Sequence, residues 1–405
     1  MKDYDVVVVG ARVAGASTAM LLARAGLRVA LLDRGRYGTD TLSTHGLMRA
    51  GVLQLSRWGL LSRVTGAGTP PVPVVTFHYG GDDPVRVSIR PSAGVDALYA
   101  PRRYLLDRVL VDAAAEAGAD VLHETRVTDV LRDCSGRVSG VRVQAGSDTR
   151  DLSAGIVIGA DGIASVVARE VGAAVLKQGQ WATAVQYAYY RDAAESGYEW
   201  AYANGAAAGI IPTNDGLSCV FVGTTPERMR ALRSVRTPRD TFDAVFALAA
   251  PGLVGRLEGA TRETRQHGWA GVQGFVRRSA GPGWALVGDA AYFKDPISAH
   301  GITDALRDAE LLASAVVEAL SGARAESVAL AGYEATRDRL STHLFQVSDE
   351  IAAYDWDISE VPGLMRRVSA AMTDEVEYLE SLPSWQPAPV GQAEFDGRRG
   401  GAAIA

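Results

Sequence analysis

Cysteine and lysine are the scarce residues of this 405-residue chain. Its two cysteines, Cys134 and Cys219, are too few for a disulfide framework or a cysteine-rich zinc site, so both are expected as free thiols in a reducing compartment. Only Lys2, Lys177 and Lys294 are lysines; every other side-chain cation except histidine is an arginine. The net charge of −6 leaves no basic excess with which to neutralise nucleic-acid phosphates or an anionic membrane. No apolar run approaches the ~18 residues of a spanning helix, and Val6 to Val9 is too short for the core of a secretion signal. A soluble, cytoplasmic protein is expected, with no nucleic-acid or membrane partner and no metal. The hydrophobic share of 47% and charged share of 22% suffice to bury a core over two domains, or over one domain with an inserted lobe.

Along the chain, glycine-terminated apolar strands alternate with helical stretches at the start, middle and end. Tyr4 to Val9 is β-branched and apolar on both faces, as in a buried parallel strand. Ala14 to Ala25 has helical spacing and stops at Gly26, and Leu27 to Asp33 is a second buried strand, which completes a right-handed βαβ unit. A helix is predicted from Met48 to Val64, another from Tyr104 to Ala117, and a third near Pro238 to Ala250. Short alternating strands broken by "GGDDP" fill Pro70 to Arg90, "GRVSGVRVQ" is a strand pair or a bent strand, and Trp181 to Gln266 is again β-rich. Beyond Ser327 the pattern is helical to about Ser381, followed by a frayed tail. No internal repeat is visible. One nucleotide-binding domain is thus assembled from separated pieces, with a sheet domain inserted into it.

Three glycine-containing turns carry the chemistry. In "VVVVGARVAGAS", Gly10 supplies a tight turn after the first strand, and Gly15 lets helix and strand pack closely around a helix N-terminus suited to a pyrophosphate. Arg12 stands where the usual G-x-G-x-x-G pattern has its middle glycine, and its guanidinium would meet the anion instead. Asp33, closing the second strand, is placed to accept from a ribose 2′-hydroxyl. The second turn is "GADG", Gly159 to Gly162, and the third is "GDAAYFKDPISAHG", Gly288 to Gly301, with a helix starting near Ile302. Each sets an aspartate after a buried strand, where ligands meet an open parallel sheet.

The ordered trio resembles the flavin-dependent monooxygenase superfamily typified by p-hydroxybenzoate hydroxylase, which includes flavin-dependent halogenases and geranylgeranyl reductases. The likeness spans about residues 4 to 320 and includes "RRYLLD", similar to the family's R-x-x-L-D. It implies an α/β fold: a Rossmann-like FAD-binding domain built from residues 1–69, 99–178 and 270–330, an inserted, mostly antiparallel substrate sheet from 70–98 and 179–269, and C-terminal helices over 331–405 that cap the active site or make a subunit contact. The resemblance implies FAD contacts from Gly10, Arg12, Val13, Ala14, Gly15, Asp33, Arg34, Arg103, Val127, Asp161 and Gly162. Asp289 would hold the ribityl chain, with Pro296, His300, Gly301 and Ile302 beside the isoalloxazine. The loop "DTLSTHGLMR" would pass along the flavin edge, which makes Thr44, His45 and Arg49 candidates for contacts. His45 and His300 are the candidate catalytic helpers.

The implied activity is an FAD-dependent monooxygenase that takes NADH or NADPH as a transient reductant, together with O2, and hydroxylates or oxygenates a small aromatic molecule in secondary metabolism. Aromatics at alternating positions of the inserted sheet, Tyr187, Tyr189, Trp200 and Tyr202, are the candidate substrate wall, with two or three of them expected to line the pocket. A monomer or homodimer is expected, with an external flavin reductase as a further partner to consider. A reductase of the geranylgeranyl type shares the fold and is the main alternative. A halogenase is disfavoured: the branch requires a relay lysine, absent from Pro70 to Arg90, and a W-x-W-x-I-P motif of which "WAY" and "IIP" give only a stretched version. A non-catalytic flavoprotein is the remaining alternative.

Overall fold

The computed structural model describes residues 3–80, 83–195 and 197–385. The expected tail from 386 onward and part of the "GGDDP" break, residues 81 and 82, lie outside the described residues. The first strand, Tyr4–Val9, sits inside an eight-stranded sheet, parallel to Val29–Leu32 on one side and to the end of Asp148–Gly159 on the other. Register pairs Val6 with Val29 and with Ile156. Both faces of this strand are covered, so the valines from Val6 to Val8 have no exposed surface. That explains a run without alternation: each side chain meets a helix on one face or a second layer of strands on the other. Asp120–Leu122 and Trp284–Leu286 extend the parallel order, and the hairpin Thr125–Arg132 with Val138–Ala145 pairs antiparallel with the first part of Asp148–Gly159.

The second eight-stranded sheet draws on Val74–Tyr79, on Val85–Ser88 and on strands between Ala184 and Trp269. Its pairs are antiparallel except for Tyr198–Ala203, which runs parallel to Val74–Tyr79. A small third sheet, Val175–Gln178 with Phe275–Arg277 and Tyr292–Phe293, lies at the crossing points of the chain between the two. It is not foreshadowed by the sequence pattern, because its strands are only two to four residues long.

Several elements differ from expectation for local reasons. The predicted helix Met48 to Val64 is two helices, Arg49–Arg57 and Leu61–Gly66, because Gly59 takes a left-handed φ of 75° between them. Two further helices, Pro226–Val235 and Val254–Glu258, flank the expected one at Pro238–Ala249. Pro226–Val235 and Pro238–Ala249 each begin with proline behind a threonine cap, a start signal present in "TTPER" and "RTPRD". "GRVSGVRVQ" forms a single strand. The C-terminal run is two helices, Glu326–Ala352 and Val361–Ser381, broken where Tyr354 adopts a φ of 55°. Cys134 is exposed and Cys219 buried, both as free thiols. Among the described residues no helix is long and apolar enough to cross a membrane.

Candidate functional site

Two helix N-termini open onto one cavity. The helix Val13–Arg24 follows the first strand, and the helix Gly301–Leu320 follows the third glycine loop; no side chain caps the N-terminus of either. Their free amides and dipoles favour an anionic or electron-rich ligand between them. The cavity measures about 960 Å³, at the upper end of the ~300–1,000 Å³ typical of ligand sites. Asp161, Asp289 and Arg12, from turns far apart in sequence, all line it.

The phosphate turn is fixed by close approach. Gly10 has a φ of 106°, and a Cβ there would lie 2.4 Å from the carbonyl oxygen of Ala160; a Cβ on Gly288 would lie 2.7 Å from the Ala14 Cβ. Gly10, Arg12, Val13 and Ala14 reach the cavity wall, whereas Gly15 lies behind it, with its Cα against the Gly10 carbonyl. The Arg12 guanidinium is turned onto Asp107 at 2.8 Å and onto the Thr39 carbonyl at 3.0 Å, instead of being left free for an anion. Asp107 also holds Arg103, at 3.0 Å, so one buried carboxylate aligns two arginines along the wall. The sequence reading missed Asp107, although its place four residues after Arg103 in "RRYLLD" was a visible signal.

Asp33 serves the turn as well as the cavity, because its carboxylate accepts from the Ala11 amide at 2.8 Å and the Gly35 amide at 2.6 Å. Arg34 and Val127 line the same region. Asp161 spends its carboxylate capping the short helix Val166–Glu170, where it accepts from the Val166 amide at 2.6 Å, while Gly162 turns the chain at a φ of 80°. Asp289 is different. Its side chain opens into the cavity although protein encloses it on every other side, and that enclosure pushes its carboxyl up to about 6, against the pull of Lys294 and Arg103.

On the facing side, the loop Ser43–Gly46 meets the second sheet. Thr44 and His45 line the cavity, and His45 holds a left-handed φ of 67°, a conformation costly for a residue with a side chain. Its Nε2 is hydrogen-bonded to the Tyr189 hydroxyl, and its Nδ1 is buried with no protein partner. Tyr189 is pinned from behind by the Arg102 guanidinium, 3.8 Å from the ring centroid, and Arg102 pairs with Asp40. Burial pushes the His45 imidazole down to about 3, against the attraction of Asp40, so it is neutral across the working range. In the unfolded chain the same imidazole binds a proton near pH 6.5. Its contribution to stability is therefore lost as pH falls from 6.5 towards 3, at up to about 1.4 kcal/mol per pH unit. His45→Gln is expected to flatten the slope of unfolding free energy between pH 6.5 and 5 by close to one proton; an unchanged slope in denaturant titrations would contradict a buried neutral imidazole.

Pro296, Gly301 and Ile302 line the cavity from the third loop, but His300 does not. Its ring is fully buried and turns the other way, with Nε2 bonded to Glu375 on the helix Val361–Ser381. The expected contact between His300 and the ligand is thus replaced by a tie to the C-terminal helices. Of the four proposed aromatic wall residues, only Tyr187 lines the cavity, stacked on His267 at 5.0 Å. Tyr189 stands one layer back behind His45, and Trp200 and Tyr202 pack against Phe221 and Trp356. Arg49 points elsewhere, donating to the carbonyls of Arg90 and Val95. The wall gains Trp269, Phe293 and Asp304, which the sequence reading did not single out, and Lys294, which it noted only as one of three lysines on the chain.

A family model described as an FAD binding domain matches residues 3–348. The chain belongs to that family. As an FAD-dependent oxidoreductase it is similar to a digeranylgeranylglycerophospholipid reductase of Methanothrix thermoacetophila, 30% identical over 341 residues and 82% of each chain. It is also similar to a menaquinone reductase of Mycolicibacterium smegmatis, 28% identical over 76% of this chain and 75% of that one. Among solved structures, P. aeruginosa PqsL in complex with 2-aminobenzoylacetate superposes with a TM-score of 0.78 at 24% identity, over 90% of this chain and 99% of the other. The flavin-dependent brominase Bmp2 gives 0.77 at 18%, over 94% and 100%. These two likenesses establish the shared fold.

The cavity fits FAD on its own terms: a turn packed so closely that its glycines leave no room for a Cβ, two uncapped helix N-termini, two arginines aligned by Asp107 and a carboxyl at Asp289 open to a hydroxylated chain. Gly10 to Ala14 and Arg103 would hold the phosphates, Asp33, Arg34 and Val127 the adenosine end, and Pro296 to Ile302 the ring end. When bound, FAD supplies transfer of hydride and of reducing equivalents. The chain supplies orientation, exclusion of water by Tyr187, Trp269 and Phe293, and a neutral imidazole at His45 whose Nδ1 has no protein partner and can hydrogen-bond a ligand.

Proposed function

We propose that the protein is an FAD-dependent monooxygenase that uses NADH or NADPH and O2 to oxygenate a small aromatic molecule. The observation that carries this reading is the shape of the wall opposite the phosphate turn. Tyr187, backed by His267, faces the cavity together with Trp269 and Phe293, whose rings meet edge to face at 6.4 Å. Planar rings set at angles form a short box suited to another ring, with Ser43 and Thr44 as polar contacts. FAD would take up much of the cavity of about 960 Å³, and a remainder walled by these rings would suit a ring better than a long isoprenoid chain.

A second reading, a reductase that saturates an alkene or reduces a quinone, is favoured by the names of the sequence relatives, one of them 30% identical over 82% of both chains. One experiment separates the two. The purified yellow protein is supplied with NADH or NADPH, ¹⁸O-labelled oxygen and a panel of phenols, anilines and aminobenzoyl compounds, and products are read by mass. Monooxygenation puts one labelled oxygen atom into product. A product that gains two hydrogens and no label, formed equally well without oxygen, would establish the reductase instead.

A further inference from the structure

Behind the third glycine loop lies a cluster of buried charges that the reading above does not use, and one member of it reaches the cavity. Lys294 is 5% exposed and lines the wall with Pro296, Gly301 and Ile302. Its ammonium is bonded to Asp304 in the first turn of the helix Gly301–Leu320 and lies 5.4 Å from the centre of the Tyr292 ring. Asp304 is in turn held by Arg307 at 3.1 Å. Glu375, from the last described helix, takes Arg307 at 2.9 Å with one oxygen and His300 with the other. A buried ammonium is expensive to desolvate, and an aliphatic side chain would fill the same wall without that cost. A ligand whose charge changes during its working cycle gives the ammonium a use.

We propose that Lys294 is a cation presented to the bound cofactor, held in place by Asp304 with Arg307, His300 and Glu375 behind it, and that it favours reduced over oxidised FAD. Reduction by a reduced nicotinamide moves a hydride, two electrons and one proton, onto the isoalloxazine. The nicotinamide leaves as its cation, and the isoalloxazine gains one negative charge. An ammonium in the wall of a water-poor cavity attracts that charge more strongly than one in bulk water. The inference goes beyond the choice between monooxygenase and reductase, since both pass through the same reduction, and it rests on FAD binding alone.

The charged groups around Lys294 are Asp289, Asp295 and His300 on its own loop, Asp304, Arg307 and Asp308 on the helix that follows, Glu375 from the last helix and Arg337 from the helix Glu326–Ala352. Burial, and then Arg307, push the Lys294 ammonium down to about 7, opposed by Glu375, Asp289 and Asp308. A negative charge arriving in the cavity would raise it again.

The test is potentiometric and needs no substrate. FAD-loaded native protein, Lys294→Met and Lys294→Arg are reduced chemically against reference dyes, without nicotinamide. The methionine variant is expected to lose tenfold or more in its preference for reduced over oxidised FAD, which is a midpoint lower by about 30 mV or more for a two-electron couple. The arginine variant is expected to recover most of it. Should Lys294→Met fail to fold or to keep FAD, the native protein provides a second measure. Proton uptake per two electrons should rise from one towards two as pH is raised through 7, because an ammonium lost in the oxidised state is regained on reduction; protonation of the reduced ring alone gives the opposite trend. A methionine variant with the native midpoint, an arginine variant that behaves like methionine, or proton uptake that only falls across pH 7 would each overturn the proposal. None of these outcomes depends on which substrate the enzyme takes.

Discussion

Gly15→Ala is expected to give a colourless protein. A Cβ at this position would lie 1.8 Å from the Gly10 carbonyl oxygen and 3.0 Å from the Ala160 Cβ. The first obstacle is backbone, so no side chain can swing aside; the helix Val13–Arg24 must lift from the first strand. That helix carries the free amides facing the cavity, and a shift large enough to admit one methyl group removes the phosphate turn from both Asp33 and Arg103. Ordinary overpacking costs about 1–3 kcal/mol, and with backbone on the far side the cost here should sit at the top of that range. The measurement is flavin content of the purified variant by visible absorbance, with denaturant unfolding alongside. Gly26→Ala is the control: it also has a positive φ, at 83°, but a Cβ there meets nothing within 4 Å. It should lose about 1 kcal/mol and stay yellow. If Gly15→Ala retained FAD in full, the close approach would not be what shapes the turn.

The same residues show how far the sequence could be read. The strand–turn–helix at Gly10 and Gly15, Asp33 at the end of the second strand and the aspartates of the later turns are local features. Each depends on neighbours within a few positions, and each is where the pattern places it. The aromatic wall depends on more. Alternation correctly puts Tyr187, Tyr189, Trp200 and Tyr202 on one face of the second sheet, where they share a single hydrophobic cluster. It says nothing about position across the sheet. The strand bearing Trp200 lies three places from the strand bearing Tyr187, roughly 14 Å away at ~4.8 Å per strand. The cavity covers one part of that face, and Trp356 and the C-terminal helices cover the other. His300 failed for a related reason. Its neighbour Gly301 is at the cavity, but its partner Glu375 is 75 residues further on, and only tertiary packing decides which way the ring turns. Asp107 and Lys294 were missed differently: both stood in quoted motifs, Asp107 four residues after Arg103 and Lys294 as one of only three lysines, but nothing local showed which partners each would hold.

Arg307→Leu is expected to cost about 3–5 kcal/mol of folding stability, the usual penalty for removing one partner of a buried ion pair. The guanidinium is 1% exposed and bonds Asp304 at 3.1 Å, Asp308 at 2.7 Å, Glu375 at 2.9 Å and the Ser341 hydroxyl at 2.9 Å. Leucine replaces much of its volume, so the loss is electrostatic more than steric. Three carboxylates would remain in a dry region with Lys294, His300 and the more distant Arg337 to compensate them. Because the partners come from the helices Gly301–Leu320, Glu326–Ala352 and Val361–Ser381, the weakening falls on the joint between the cofactor loop and the C-terminal helices. The double variant Arg307→Leu with Glu375→Gln removes one stranded charge and should be less destabilised than the sum of the two single changes, a coupling of about 0.5–3 kcal/mol in a double-mutant cycle. Urea unfolding of the four proteins at neutral pH provides all the terms. A single-variant loss below about 1 kcal/mol, or strict additivity, would mean that water reaches these groups and that the charges behind the cofactor loop are held by solvent and not by one another.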